Sequence, residues 1–171
     1  AALSSMSGLT SQPSLNAVVA ALEFTQRQSS LSMDELQQLS DYFERVRPVY
    51  SEFESGIKSG TTMVYKYEFP GGQFSNLKAQ VDSFGMGHKF NEVLANYKVA
   101  NELFGDIIKV TPSSKVVGDM AIFMTQNSLT KENIYEKGAT LAFPDSVIDF
   151  FKGNIGQPEA GFDEKLREVV L

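Results

Sequence analysis

Apolar side chains recur in steps of three and four along most of the chain, which is the spacing of helices with one buried face. Stripes of this kind cover residues 15–22, 36–53, 74–84, 90–104, 116–124, 147–151 and 163–170. Pro48 lies inside the second stripe, so we expect a kink there or a junction between two helices. The pattern therefore predicts a mainly helical chain.

Short segments between the stripes lack this spacing. Residues 1–6 are small and apolar enough for a buried strand, and a turn over residues 7–14 separates them from the first helix. Strand, loop and helix would form one βα unit, although a helix with an irregular N-terminal lead explains the pattern equally well. Residues 63–69 alternate in the manner of a strand, and the β-branched residues at 106–110 predict extended backbone. The Pro-Gly-Gly-Gln sequence at 70–73 predicts a sharp turn.

Composition restricts the function classes open to this chain. At 171 residues and 42% hydrophobic content, it can bury the core of one domain of ordinary size. The absence of cysteine excludes disulfides and thiol chemistry. A net charge of -6 and an isoelectric point near 4.8 argue against nucleic-acid binding. No apolar run approaches the roughly 20 residues of a membrane helix. The start without methionine suggests the interior of a longer polypeptide.

The candidate chemistry is concentrated in the sequence VTPSSKVVGD. Pro112 disfavours helical backbone at Thr111, and Ser113 or Ser114 can cap the helix that follows. The unpaired N–H groups of a helix start, together with the charge of Lys115, favour a negative or carbonyl oxygen nearby. Composition alone favours an ordinary capped helix start, because many helices begin in this way.

Other candidate sites are weaker. His88 is the only histidine, and it lies in a predicted surface loop without the neighbours that a metal site needs. Glu52 and Glu54 are two residues apart on a predicted helix, so they face different sides and form no acid–base pair. Gly71 and Gly72 lack the longer fingerprint of a phosphate-binding loop. We therefore expect no metal site in this chain.

Several motifs together resemble the pyruvate carboxylase family. They are PGGQFSNL at residues 70–77, GDIIKVTPSSKVVGD at 105–119, SMSGLTSQP at 5–13 and the Phe-Pro pair at 143–144. The resemblance runs nearly end to end and covers the C-terminal part of the carboxyltransferase domain. It implies a mainly α fold that forms the helical C-terminal extension of a (β/α)8 barrel. Residues 1–28 would be the last strand and helix of that barrel, and residues 29–171 the helical lobe at its mouth.

The activity that the resemblance implies is biotin-dependent carboxyl transfer from carboxybiotin to pyruvate, giving oxaloacetate. Thr111 matches the family threonine that shuttles a proton between pyruvate and the biotin ring nitrogen, which makes it the expected catalytic and substrate-binding residue. Ser114 and Lys115 match residues that contact the ureido group of biotin. Hydrogen bonds to the ureido carbonyl stabilise the charge that develops as CO₂ leaves.

The resemblance also implies partners and cofactors held outside this chain. The biotin carrier domain, the ATP-using biotin carboxylase domain and the ligands of a divalent metal such as Mn or Zn belong to other parts of the family's polypeptide. We therefore expect the isolated chain to be inactive, and the whole protein to be a homo-tetramer without nucleic-acid or membrane partners. The expected location is the cytoplasm, or the mitochondrial matrix in an animal.

Two alternative functions remain. The acidic composition and amphipathic helices also suit a non-catalytic docking module for the biotin carrier domain. This alternative gains if Thr111, Ser114 and Lys115 do not converge on one concave surface. The second alternative is the α subunit of an oxaloacetate decarboxylase. That family tends to carry Met at the position of Gln73 and Gln at that of Lys115, so these two positions favour the carboxylase.

Overall fold

The chain was described by a computed structural model, which covers residues 1–9 and 13–171. These residues form two compact units, Ala1–Thr62 and Met63–Leu171. The described residues contain α-helices and short 3₁₀ segments but no strand, so the predicted mainly α fold is confirmed. None of the helices in this described part has the length and apolarity that a membrane span requires.

The first unit consists of two helices and two 3₁₀ segments. Their bounds are Ser4–Met6 (3₁₀), Leu15–Leu22 (α1), Met33–Val46 (α2) and Arg47–Phe53 (3₁₀). Ser14 caps α1, because its side chain accepts the N–H of Ala17 at 3.3 Å. Ser32 caps α2 in the same way, with the N–H of Glu35 at 3.3 Å. Both helices therefore begin where a serine can satisfy a free N–H group.

The strand predicted at residues 1–6 is absent from the described structure. Ser4–Met6 forms a 3₁₀ turn instead. The buried Ser5 fixes this turn on α2: its N–H donates to Ser40 Oγ at 3.0 Å, and its carbonyl accepts from Arg47 Nη1 at 2.8 Å. Side-chain bonds to a helix thus take the place of strand pairing.

One isolated parallel bridge, between Ala2 and Ser14, is the only strand-like pairing among the described residues of the first unit. The turn predicted over residues 7–14 contains residues 10–12, which lie outside the described residues. The two compact units divide at a different position from the domain boundary expected after residue 28. The expected boundary separates residues of the barrel from residues of the helical lobe, and it stays a prediction.

The interruption predicted at Pro48 is confirmed. Helix α2 ends at Val46, and Arg47–Phe53 continues as a 3₁₀ segment with Pro48 in its first turn. The apolar stripe along this region is less buried than its pattern indicates. Leu36 at its start is 7% exposed, whereas Phe53 at its end is 85% exposed. In the described part of the first unit, α1 and the Ser4–Met6 turn are too short to cover the whole stripe.

The second unit is built from helices joined by short loops. They are Met63–Lys66 (α3), Gly71–Ser83 (α4), Phe90–Leu103 (α5), Ser113–Gln126 (α6), Ile134–Lys137 (α7), Asp145–Phe151 (α8) and Glu164–Val170 (α9). Gly87–Lys89 and Gly138–Thr140 are 3₁₀ segments. The helices predicted from residues 90–104, 116–124, 147–151 and 163–170 are all present.

Two predictions for residues 63–73 are wrong. Residues 63–69 are not a strand: they form α3 and then a turn in which Glu68 has φ 58. Helix α4 begins at Gly71, where a turn was predicted. Pro70 is its N-cap residue, and the first N–H groups of a helix have no intrahelical partner, so proline and glycine are tolerated at this end.

Helix α6 lies at the centre of the second unit and is buried on nearly every side. Helix α5 packs against it, and Val93, Leu94 and Tyr97 of α5 are each at most 1% exposed. Helices α4 and α8 also contact α6. A helix that is apolar around most of its circumference belongs in a core, and this position fixes the residues at its N-terminus, where the candidate chemistry lies.

Candidate functional site

The segment between α5 and α6 carries the candidate chemistry. It turns at Gly105 and Asp106, which have φ 84 and φ 52, and then runs without helix or strand to α6. Two of its apolar side chains face away from the core, since Ile108 is 83% exposed and Val110 is 63% exposed. Thr111 follows them and is also exposed. The segment predicted to be extended is therefore a loop with no strand.

Helix α6 starts without a serine cap, so the predicted cap is wrong. The N-cap residue is Pro112, which follows a cis peptide bond and makes no side-chain capping bond. The N–H of Ser114 donates to the carbonyl of Val110 at 3.1 Å. The N–H groups of Lys115 and Val116 donate to the carbonyl of Pro112 at 3.1 and 3.4 Å. These N–H groups are therefore not free for a ligand oxygen.

The hydroxyl of Ser113 bonds backward to the preceding loop. Its oxygen lies 2.5 Å from the carbonyl of Ile108 and 2.6 Å from the carbonyl of Val110, and it accepts the N–H of Val110 at 3.2 Å. The serine side chain thus joins the first residue of α6 to the backbone just before Thr111.

Ser114 and Lys115 point in different directions. Ser114 is 7% exposed, and its carbonyl accepts a weak bond from the Tyr97 hydroxyl at 3.5 Å. The side chain of Lys115 is 68% exposed. Consecutive helical residues are about 100° apart around the axis, so a buried residue is readily followed by an exposed one. The structure exposes Thr111 and Lys115, whereas it buries Ser114.

The Lys115 ammonium is held by a carboxylate of its own helix. It bonds to Asp119 one turn later, whose side chain is only 11% exposed. Asp119 also accepts from Ser146 Oγ of α8 at 2.6 Å and from Gln80 Nε2 of α4 at 3.4 Å. Three helices therefore fix the carboxylate that orients Lys115.

Gln73 lies against the next part of α6. A Cβ atom added to Gly118 would be 2.7 Å from Gln73 Nε2. Gly118 comes three residues after Lys115, so it is on the neighbouring turn of the helix, but it is buried whereas Lys115 is exposed. Gln73 therefore approaches α6 within one turn of Lys115.

A polar cleft of about 600 Å³ opens beside the loop that precedes Thr111. Its lining is charged or amide-bearing throughout and consists of Glu68, Lys98, Asn101, Glu102, Asp106, Lys109 and Lys131. Lys98 bonds to Glu68 at 3.1 Å, and its hydrogen bond and charge hold the pKa of that carboxyl below its usual value. Lys131 bonds to Glu102 at 2.9 Å, which raises the pKa of Lys131.

Lys109 connects this cleft to the candidate loop. Its ammonium lies 3.7 Å from the second carboxylate oxygen of Glu68. In the amide orientation that satisfies both ends of its side chain, Asn101 accepts from Lys109 at 3.1 Å and donates to the Ile107 carbonyl at 3.2 Å. The lining cations and anions pair with one another, so the cleft ties the loop to α5.

In residues 1–9 and 13–171, no group of three or more His, Cys, Asp or Glu side chains has the arrangement of a metal site. His88 is exposed in the Gly87–Lys89 segment, as the sequence predicts.

A match to the family described as the conserved carboxylase domain spans residues 64–171, which is more than half of the chain. The chain belongs to the conserved carboxylase domain family. The resemblance stated from the motifs is therefore confirmed.

Relatives of this conserved carboxylase domain are pyruvate carboxylases. The protein of Bacillus subtilis is 55% identical over 99% of this chain, and pyruvate carboxylase 1 of Caenorhabditis elegans is 52% identical over 100%. The human protein, named as mitochondrial, is 46% identical over 99%. The chain spans only 15% of the length of each.

Solved structures agree with this family. The carboxyl transferase domain of Rhizobium etli pyruvate carboxylase superposes on 99% of this chain with a TM-score of 0.93 and 44% identity. The same TM-score holds for that domain solved with pyruvate and biocytin. This chain corresponds to 29% of the length of either structure.

Sequence reasoning found the candidate loop of the conserved carboxylase domain but missed the residues that hold it. The four-residue spacing of Lys115 and Asp119 is a signal for an ion pair on a helix. Ser146 has no such signal, because it reaches Asp119 from a different helix 27 residues later. The backward bonds of Ser113 were also missed, because serine before a helix most often indicates a cap.

Proposed function

We propose that this chain is part of the carboxyltransferase domain of a pyruvate carboxylase, which transfers a carboxyl group from carboxybiotin to pyruvate and gives oxaloacetate. The observation that carries the proposal is the superposition over 99% of the chain, at 44% identity, on the Rhizobium etli domain solved with pyruvate and biocytin. Because the chain spans only a small part of its relatives, the activity belongs to the whole protein.

Thr111 is the proposed proton carrier. Its hydroxyl can donate one proton and accept another, and it is exposed at the start of α6. A proton from the methyl carbon of pyruvate would bond to Oγ1 while the original hydroxyl proton passes to the ring nitrogen of biotin. One O–H bond forms and one breaks, so the threonine ends the step unchanged.

Lys115 is the proposed partner of the biotin ureido group. Its exposed ammonium can donate to a carbonyl oxygen, and its charge stabilises negative charge there. Asp119 limits where that ammonium can lie. The biotin contact of Ser114 stays a prediction. Because Ser114 is only 7% exposed, this contact has less support than the one proposed for Lys115.

The remaining cofactors would be bound elsewhere in the whole protein. When bound, biotin would supply the carboxyl group, ATP would serve its carboxylation, and a divalent metal would polarise pyruvate. The exposed Thr111 and Lys115 fit contact with biotin. The ligands of the metal are proposed to lie elsewhere in the protein. The homo-tetramer and the cytoplasmic or mitochondrial location are likewise proposals.

A carrier-docking role without catalysis is the second candidate. It is favoured by one observation, which is that Ser114 is buried while Thr111 and Lys115 are exposed. Docking alone needs no hydroxyl at position 111. The identity of that side chain therefore separates the two candidates.

The test uses the full-length protein with Thr111→Ala and Thr111→Ser. We expect the alanine variant to lose pyruvate carboxylation by about 100-fold or more, which is the range for a lost acid–base group. ATP-dependent carboxylation of biotin should remain, and the serine variant should keep measurable oxaloacetate synthesis because it retains the hydroxyl. Oxaloacetate formation and ATP cleavage are measured separately. Wild-type oxaloacetate synthesis by Thr111→Ala would exclude the catalytic role and favour docking.

A further inference from the structure

The Ser113 side chain is unusually engaged for the first residue of a helix. Its oxygen is within 2.6 Å of two carbonyl oxygens, those of Ile108 and Val110, and it also accepts the N–H of Val110. A hydroxyl has a single proton. That proton is therefore shared between the two carbonyls, and the hydroxyl holds both of them close to the start of α6.

These bonds close a small loop around Thr111. Val110 is joined to Ser113 by the side-chain bonds, and the N–H of Ser114 also bonds to the Val110 carbonyl at 3.1 Å. Thr111 and Pro112 lie between the joined residues. The direction of the threonine side chain therefore depends on the geometry that the serine hydroxyl fixes.

The side chains of Ile108 and Val110 provide no apolar packing that could replace these bonds. Ile108 and Val110 are 83% and 63% exposed, so their side chains do not anchor the loop in the core. Lys109, which lies between these two residues, holds the loop through its contacts with Glu68 and Asn101. Near Thr111, the described contacts that bind the loop to α6 are hydrogen bonds to Ser113 and Ser114.

We propose that Ser113 is a positioning residue for Thr111: its hydroxyl fixes the backbone of residues 108–110 so that the Thr111 hydroxyl is aimed at the reacting groups. This inference rests on the proposed function of Thr111. Ser113 acts through the loop and needs no contact with substrate. A displacement of about 1 Å in a catalytic group can lower a rate by about 100-fold, so the effect is measurable.

The experiment compares four variants of the full-length protein. Ser113→Ala removes all three side-chain bonds, and Ser113→Thr keeps a hydroxyl. Ser113→Cys keeps a side chain of similar volume but forms only weak hydrogen bonds. It replaces the alanine variant in the test if that variant does not assemble. Ser83→Ala is the matched control, since it removes a serine bond to a backbone carbonyl, that of Gln80 at 2.7 Å, away from the loop.

For Ser113→Ala we expect kcat for pyruvate carboxylation to fall by about tenfold or more, with KM for pyruvate within about twofold of wild type. The solvent deuterium isotope effect on kcat should rise, because proton transfer through a misplaced Thr111 becomes slower than other steps. Ser113→Thr should restore most of kcat, and Ser83→Ala should match wild type. Amide exchange over residues 108–113 should accelerate only in the Ser113→Ala and Ser113→Cys variants.

Thr111→Ala is measured in parallel to separate the two proposals. If that variant keeps full activity, the proposed function fails. If it loses activity while Ser113→Ala keeps wild-type kcat and isotope effect, only the positioning role is overturned. A loss in Ser113→Ala that Ser113→Thr does not restore would also overturn it, because the hydroxyl would then not be the group responsible.

Discussion

The Cβ position of Gly118 is occupied by a neighbouring side chain. A methyl group there would lie 2.7 Å from Gln73 Nε2 and 3.4 Å from Leu77 Cδ1. The first contact is with the far end of a flexible side chain, which can move, whereas the second is near the limit of ordinary van der Waals contact. Glycine at this position therefore makes room for the glutamine amide.

Two opposing effects decide the outcome of Gly118→Ala. Alanine within a helix gains up to about 1 kcal/mol over glycine, and displacement of Gln73 offsets that gain. We expect the free energy of unfolding to change by less than about 1 kcal/mol. In a Gln73→Ala background the obstruction is gone, so the same substitution should stabilise the chain. Urea unfolding followed by circular dichroism measures both.

A larger side chain provides the control for this prediction. Gly118→Val adds contact with Leu77 as well as Gln73 and should destabilise the chain by about 1–3 kcal/mol, as overpacked cores do. A loss above about 2 kcal/mol for Gly118→Ala itself would mean that the backbone of α6 moves rather than the Gln73 side chain.

At the scale of elements, Tyr97 joins α5 to the start of α6. Its ring is fully buried and stacks on Phe69 with centroids 3.7 Å apart, and its hydroxyl donates weakly to the carbonyl of Ser114. Burial raises the pKa of the Tyr97 phenol above its ordinary value of 10.0. A group that resists ionisation in the folded state makes stability depend on pH.

Tyr97→Phe should reduce the sensitivity of the fold to base. Above about pH 10 the unfolded phenol loses its proton while the folded one keeps it, so stability falls as pH rises, by about 1.4 kcal/mol per unit. Phenylalanine has no proton to lose. At pH 7 the variant should lose at most about 1.5 kcal/mol, the size of one hydrogen bond. Urea unfolding between pH 7 and 11 measures the difference.

Other groups set the baseline of that experiment. Burial and the bond to Asp163 raise the pKa of Tyr135, and this group is present in both proteins. Both should therefore lose stability in base, with the smaller loss in Tyr97→Phe. Parallel pH profiles for the two proteins would show that Tyr97 ionises without unfolding, contrary to its burial.

The sequence predicted the elements that have clear helical spacing and failed where another effect decided the structure. Helices α5, α8 and α9 follow from their apolar stripes. The alternation at residues 63–69 resembles a strand, but no partner strand is present in the described residues and Tyr65 is 82% exposed. Short segments take their structure from tertiary context rather than from propensity.

The features of the candidate site also differ in whether the sequence alone could predict them. Thr111 and Lys115 could be found from the motif, and both are exposed. Whether the Ser114 side chain is buried or exposed depends on how α6 is rotated about its axis within the core of the second unit. The local sequence does not specify that rotation. The bonds from Ser146 and Gln80 to Asp119 join three helices, so only the folded chain brings them together.

At the scale of the whole molecule, the two compact units differ in how many hydrophobic side chains they bury. Of the buried hydrophobic side chains in the described residues, only Val19 and Leu36 belong to the first unit. The second unit begins at Met63, and the family match begins one residue later. A chain segment that buries its own core can fold alone.

We therefore expect residues 63–171 to fold without the first unit. The expressed segment should give a helical circular dichroism spectrum, dispersed amide signals and a cooperative urea transition. Residues 1–62, expressed in the same way, should lack a cooperative transition. Failure of 63–171 to give one, under conditions in which the full chain does, would mean that its stability depends on the first unit.

The loop before α6 is fastened at Lys109 and at Ser113, and it carries exposed side chains between these points. Ordering one backbone residue costs about 1–2 kcal/mol in conformational entropy. In this loop the entropy is lost when the chain folds and not when a partner binds. A partner that contacts Val110 and Thr111 meets a surface that is already ordered, so more of its contact energy appears as affinity.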